Sequence, residues 1–127
     1  MGTTYQAQVE VFFPASEHHV DMWQAVSRWE LQKDYSFSMA LDGVSQEGWP
    51  RAKRGERPGS EDVLLIGERP HPKYGYDLVE GKRWIEGELF AELDTSDCFS
   101  WARLLVEHVR SLVKLHPNAT RVVVWSE

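Results

Sequence analysis

Acids, bases, thiols and metal ligands do chemistry only when they come together, and three places in the sequence bring such residues within reach of one another. The first is Glu17-His18-His19-Val20-Asp21. On a helix Glu17 and Asp21 share a face four residues apart, and imidazole beside carboxylate is a ligand set for a divalent metal. A two-histidine helical site, however, spaces its histidines four apart, whereas adjacent ones diverge by about 100°. The expected reading is a solvated first helical turn whose carboxylates suit the helix dipole, with no metal. The second place is Cys98, at the expected start of a helix, where a thiolate is favoured. A nucleophile also needs a base, and on that helix His108 lies about 15 Å further on by rise alone. Cys98 also joins an apolar stripe, so a small core thiol is expected. Third, Glu86 and Glu88 would be neighbours on one strand face, where two carboxylates can share a proton. A solvated charged face is the simpler expectation. The chain contains no GxSxG, no GxxxxGK[ST], no HExxH and no GxGxxG leading into a helix. No catalytic residue, metal ligand or cofactor is therefore assigned.

Recognition residues are more plentiful. Six tryptophans are many for 127 residues, and tryptophan, tyrosine and arginine dominate interface hot spots. Trp23, Trp101 and Trp125 fall on or beside core patterns; Trp49 and Trp84 do not. Trp49 stands with Arg51, Lys53, Arg54 and Arg57 in a segment able to grip single-stranded nucleic acid by phosphate contact and stacking. Glu47, Glu56 and Glu61 work against that grip. Tyr74, Tyr76 and Trp84 lie on the arms of an expected hairpin and would form one aromatic patch, bordered by Glu86 and Glu88. The expected partner-binding set is Trp49, Arg51, Arg54, Arg57, Tyr74, Tyr76, Trp84, Glu86 and Glu88.

The net charge is −6. Residues 1–45 hold six acids against two bases, and residues 80–97 again six against two. Such a balance argues against duplex nucleic acid, whose affinity rests on phosphate neutralisation, and suits a basic protein partner. The single cysteine excludes a disulfide framework and a multi-cysteine zinc site. No apolar run approaches the ~20 residues that span a bilayer. The N-terminal Met-Gly-Thr-Thr-Tyr-Gln carries no secretory signature, so a cytoplasmic protein without membrane contact is expected. Asn118-Ala119-Thr120 matches a glycosylation sequon but reads as a polar turn.

These residues must be positioned by elements that the periodicity suggests. Tyr5, Ala7, Val9, Val11 and Phe13 alternate with polar residues, predicting a strand closed by Pro14. Ser16 as N-cap with Val20, Trp23 and Val26 predicts a helix over 16–28. Tyr35, Phe37, Met39 and Leu41 alternate, predicting a strand that Asp42-Gly43 ends. Residues 43–61, with four glycines and two prolines, predict a long exposed loop. A short strand over 62–67 and a hairpin over 74–93 follow. On the second hairpin arm Trp84, Glu86, Glu88, Phe90 and Glu92 share one face. Asp94-Thr95-Ser96-Asp97 then opens a helix whose apolar stripe is Cys98, Ala102, Leu105, Val106, Val109, Leu112 and Val113, and Pro117-Asn118 stops it. Arg121 to Trp125 predicts a buried strand.

The fold expected over residues 1–127 is one α+β domain: a single mixed, largely antiparallel sheet with two helices on one face. The order β-α-β-β-β-β-α-β has a ferredoxin-like layout with an inserted hairpin, and short connections imply parallel pairing within each β-α-β unit. The function expected is a non-catalytic protein-binding module, an inhibitor or immunity-type antagonist of a basic macromolecular partner. One alternative is a small-molecule pocket or enzyme site between sheet and helices, lined by Tyr35, Phe37, Trp101 and His18 or His19. Another is single-stranded nucleic-acid binding through 49–57. Homodimerisation through an open sheet face is compatible with each.

Overall fold

A computed structural model describes residues 4–48, 50, 64–66 and 80–126. Strand β1 (Thr4–Phe13) forms where alternation predicts it and lies inside the sheet, between β2 (Met22–Gln32) and β6 (Thr120–Ser126), antiparallel to both. Beyond β6 come β5 (Glu80–Glu86) and the two-residue β3 (Gln46–Glu47); beyond β2 comes β4 (Leu64–Ile66). The sheet order is β3-β5-β6-β1-β2-β4, with β2–β4 its parallel pair. Three helices, α1 (Tyr35–Asp42), the single turn α2 (Gly87–Phe90) and α3 (Ser100–Leu115), share one core with one face of the sheet. The class is therefore α+β, with a largely antiparallel sheet and its helices on one face.

Two expected elements are exchanged. The helix over 16–28 is instead a hairpin connection followed by β2, because a β-bulge disguises the strand. Ser27 pairs with Val9 and Ala25 with Glu10, leaving Val26 as the extra residue. The bulge shifts the side-chain phase by one, so Trp23, Val26 and Trp29 fall at three-residue steps that imitate a helix. The strand over 35–41 is instead α1. Phe37 and Leu41, four apart, are its buried pair, while Tyr35 and Met39 face outward. Apolar residues at every second position contain a four-residue spacing, so alternation alone does not separate the two structures.

The expected strand 84–93 stops at Glu86. Gly87 lies so close to β6 that a Cβ there would meet Thr120 Cβ at 2.8 Å and Val113 Cγ2 at 3.0 Å. From this glycine the chain turns into α2, which drops Phe90 into the core. Glu86, the last residue of β5, shares a strand face with Trp84, but Glu88, Phe90 and Glu92 do not.

Helix α3 carries the stripe that its sequence promises, burying Ala102, Leu105, Val106 and Val109 against Ala7, Val9, Val122 and Val124. Full burial of a Leu or Val side chain contributes roughly 1.5–3 kcal/mol. The helix starts at Ser100, after a turn in which Cys98 N donates to Thr95 O, and His116 caps its end through Leu112 O. Parallel pairing of β5 with β6 does not occur; they are antiparallel. Gly87 lies beside Thr120 at one end of the sheet and Phe99 beside Asp34 at the other, so the chain crosses the face once over 87–99 and again in α3. Two crossings return it antiparallel where one would have given a parallel neighbour.

The second face of the sheet is buried across its centre. Trp84, Val123 and Trp125 form one apolar cluster there and Trp23, Phe12 and Met22 another. Between them Glu10, Gln8 and Arg121 make a buried polar strip. Arg121 Nε donates to Glu10 Oε1 at 2.7 Å, Gln8 Nε2 donates to Glu10 Oε2 at 2.8 Å, and the Arg121 guanidinium lies 3.8 Å from the Trp23 ring centre. The open aromatic face expected around Trp84 is thus closed at Trp84 itself.

Candidate functional site

One exposed apolar surface beside the helices grows from one carboxylate. Asp34 follows β2 and is buried; its Oδ1 accepts from Ser36 N at 3.0 Å and its Oδ2 from Phe99 N at 2.6 Å. One side chain thereby caps α1 and fastens the start of α3 beside it. Ring contacts lock the same junction: Phe37 meets Trp101 at 4.9 Å and Phe90 at 6.2 Å, and Phe99 meets Trp101 at 6.5 Å, each edge-on. With Phe37 committed to the core, the outward residues of the junction are Tyr35 (80% exposed), Met39 (57%) and Phe99 (46%). Tyr35 and Met39 are one helical turn apart on one face.

The surroundings of the Cys98 thiol are negative. Burial pushes the Cys98 thiol above its ordinary range, and the nearby carboxylates of Asp34, Asp97 and Asp94 push it further. A thiol held protonated is a poor nucleophile, in keeping with its packing against the core. Asp94 is itself held below the usual carboxylate range, first by the backbone N–H of Ser96 and then by its hydroxyl. Aromatic and thioether side chains standing out beside fixed acids have the chemistry of a recognition surface.

The acid, base and ligand candidates do not converge. Glu17, His18, His19 and Asp21 lie in the β1–β2 connection, where Asp21 Oδ1 accepts from Ala15 N at 2.6 Å and His19 Nδ1 is hydrogen bonded to Val20 O at 2.8 Å. Among the described residues no three His, Cys, Asp or Glu side chains gather as a metal would require. Of the residues named for a small-molecule pocket, Phe37 is core, Trp101 packs on it, Tyr35 points to solvent, and His18 and His19 belong to the hairpin connection.

Of the expected partner-binding set, Trp49, Arg51, Arg54, Arg57, Tyr74 and Tyr76 lie outside the described residues. Trp84 is buried, Glu86 is exposed at the end of β5, and Glu88 of α2 accepts from Asn118 N in the α3–β6 turn at 2.5 Å. Sequence reasoning missed the Tyr35–Met39–Phe99 surface because it read 35–41 as a strand. The available signal was Asp34, an N-cap residue two positions before Ser36.

A second junction joins α3 to β2. His108 Nε2 and the Ser27 hydroxyl share a 2.8 Å hydrogen bond, Trp29 Nε1 donates to the same hydroxyl at 3.3 Å, and the Trp29 and His108 rings are 5.6 Å apart. This Ser–His pair fastens the helix over the strand. Among the described residues no helix is long and apolar enough to cross a membrane. No family model matches the chain, and no curated protein or solved structure matches it.

Proposed function

We propose that this chain is a non-catalytic protein-binding module that docks on a basic partner, in the manner of an inhibitor or immunity-type antagonist. The observation that carries the reading is the exposure of Tyr35, Met39 and Phe99 at a two-helix junction that Asp34 fastens, with the carboxylates of Asp94 and Asp97 close to the neighbouring Cys98. Large side chains on a fixed scaffold lose little entropy on binding, so their burial supplies affinity. The acidic rim supplies specificity and a fast encounter with a basic surface. The overall charge of −6 acts in the same direction at longer range.

The test is capture from a native extract with nuclease present, comparing the wild-type chain with Tyr35→Ala/Met39→Ala/Phe99→Ala. A basic protein retained stoichiometrically by the wild type, lost with the triple variant and released by raised salt, is the expected result. Equal retention by both chains, or material that vanishes on nuclease treatment, would place the binding activity elsewhere.

A further inference from the structure

We propose that Met39 is an oxidation site, and that its conversion to the sulfoxide by a peroxide weakens docking through the surface that it forms with Tyr35 and Phe99. The inference rests on the reading of that surface as a docking site. The chain has three methionines, Met1, Met22 and Met39. Met1 lies outside the described residues, Met22 is half-buried and packs against Trp23, and Met39 is 57% exposed. A peroxide has to reach the sulfur lone pair, so exposure ranks Met39 above Met22.

The reaction needs nothing from the chain beyond an accessible thioether. The Met39 sulfur attacks one oxygen of the peroxide, the O–O bond breaks and an S–O bond forms. The second oxygen leaves as water, or as an alcohol when the oxidant is an organic peroxide. Sulfur loses two electrons and the peroxide gains them. Cys98, the other sulfur of the junction, packs against the core, and burial and the carboxylates of Asp34, Asp97 and Asp94 keep its proton in place. Peroxide attacks the thiolate, so this thiol does not compete with a thioether that has no proton to lose.

The position of Met39 confines the consequence to the surface. Helix α1 buries Phe37 and Leu41, whereas Met39 faces outward with Tyr35 one turn away. An oxygen added there lies in solvent, clear of the Phe37–Trp101 contact and of the Asp34 cap. What changes is polarity. The sulfoxide is a strong dipole and hydrogen-bond acceptor, and burying it under a partner without a donor is costly. An apolar contact thereby becomes an unfavourable one while the fold is kept.

The test treats the full chain with hydrogen peroxide at neutral pH and follows each methionine by peptide mass. Met39 is expected to gain one oxygen about as fast in the native chain as in urea, with Met22 lagging until the chain unfolds. When Met39 is converted and Met22 is not, the chain should elute earlier from a phenyl hydrophobic-interaction column with an unchanged urea midpoint. Met39→Leu should remove that elution shift, and Met39→Gln should elute early without peroxide. A native Met39 that oxidises no faster than Met22, or an elution shift that persists in Met39→Leu, would overturn the proposal. Capture from the extract should lose the basic protein when the wild type is oxidised and keep it when oxidised Met39→Leu is used; retention by both also overturns it. Failure of the unoxidised chain to capture a basic protein counts instead against the docking reading, and the oxidation and elution results still decide the site.

Discussion

Asp34 and Cys98 lie within one small region and show what a position in the fold does to a side chain. Asp34 is buried because both carboxylate oxygens have backbone donors, one from each helix that it joins. A buried carboxylate without such donors would be costly. Cys98 experiences the other side of the same arrangement. Partial burial and then three carboxylates hold its proton, which disfavours the reactive thiolate at neutral pH. The native chain should therefore react slowly with iodoacetamide at pH 7 and gain reactivity on unfolding in urea, measured by intact mass over time. A native rate equal to that of the unfolded chain would contradict the environment described for this thiol. Asp94 has the opposite shift: its folded-state pKa is depressed, so its contribution to stability is present above the ordinary carboxylate range and is lost as pH falls through the lowered value.

At the scale of elements, β1, β6 and α3 are where pattern and structure agree, and β2 and α1 are where they part. In β1 and α3 one periodicity runs uninterrupted from end to end, and β6 is a continuous buried run. In β2 a single bulged residue resets the period, and in α1 eight residues are too few to tell two-residue from four-residue spacing. The pairing of β1 with β6 carries the most buried ion pair among the described residues, Glu10 with Arg121. The pair is hydrogen bonded and backed by Trp23, so its partners compensate one another. Removing one member leaves the other's charge without its counter-ion. Arg121→Met should destabilise the fold by about 3–5 kcal/mol, whereas Glu10→Leu/Arg121→Met should cost less than the two single changes added together. Urea denaturation of the four proteins in the cycle measures both. Additive losses would mean that the two side chains act independently.

Across the whole molecule the two sheet faces are built differently. One is an apolar face closed by three helices; the other interleaves tryptophan with glutamine, glutamate and arginine. Exposed apolar side chains stand at the α1–α3 junction, Tyr35, Met39 and Phe99 among them.

The sequence by itself determined the class of fold, the central strand β1, the buried strand β6 and the long amphipathic helix α3. Each is specified by neighbours along the chain: alternation, a β-branched run, a 3.6-residue stripe and a proline-asparagine stop; the cap expected at 94–97 is instead a turn, and α3 starts at Ser100 without a side-chain cap. It also determined the acidic balance and the lack of any recognised catalytic motif. The tertiary structure decided the rest. Whether 23–31 is helix or bulged strand depends on β1 lying beside it, since only cross-strand pairing reveals the extra residue. Whether Tyr35 is buried or displayed depends on Asp34 reaching Phe99, sixty-five positions away. Whether Trp84 is an exposed aromatic or part of a core depends on Val123 and Trp125. Local periodicity records which faces of an element differ in polarity. Which of those faces meets another element is a property of contacts distant in sequence, and only the folded chain contains them.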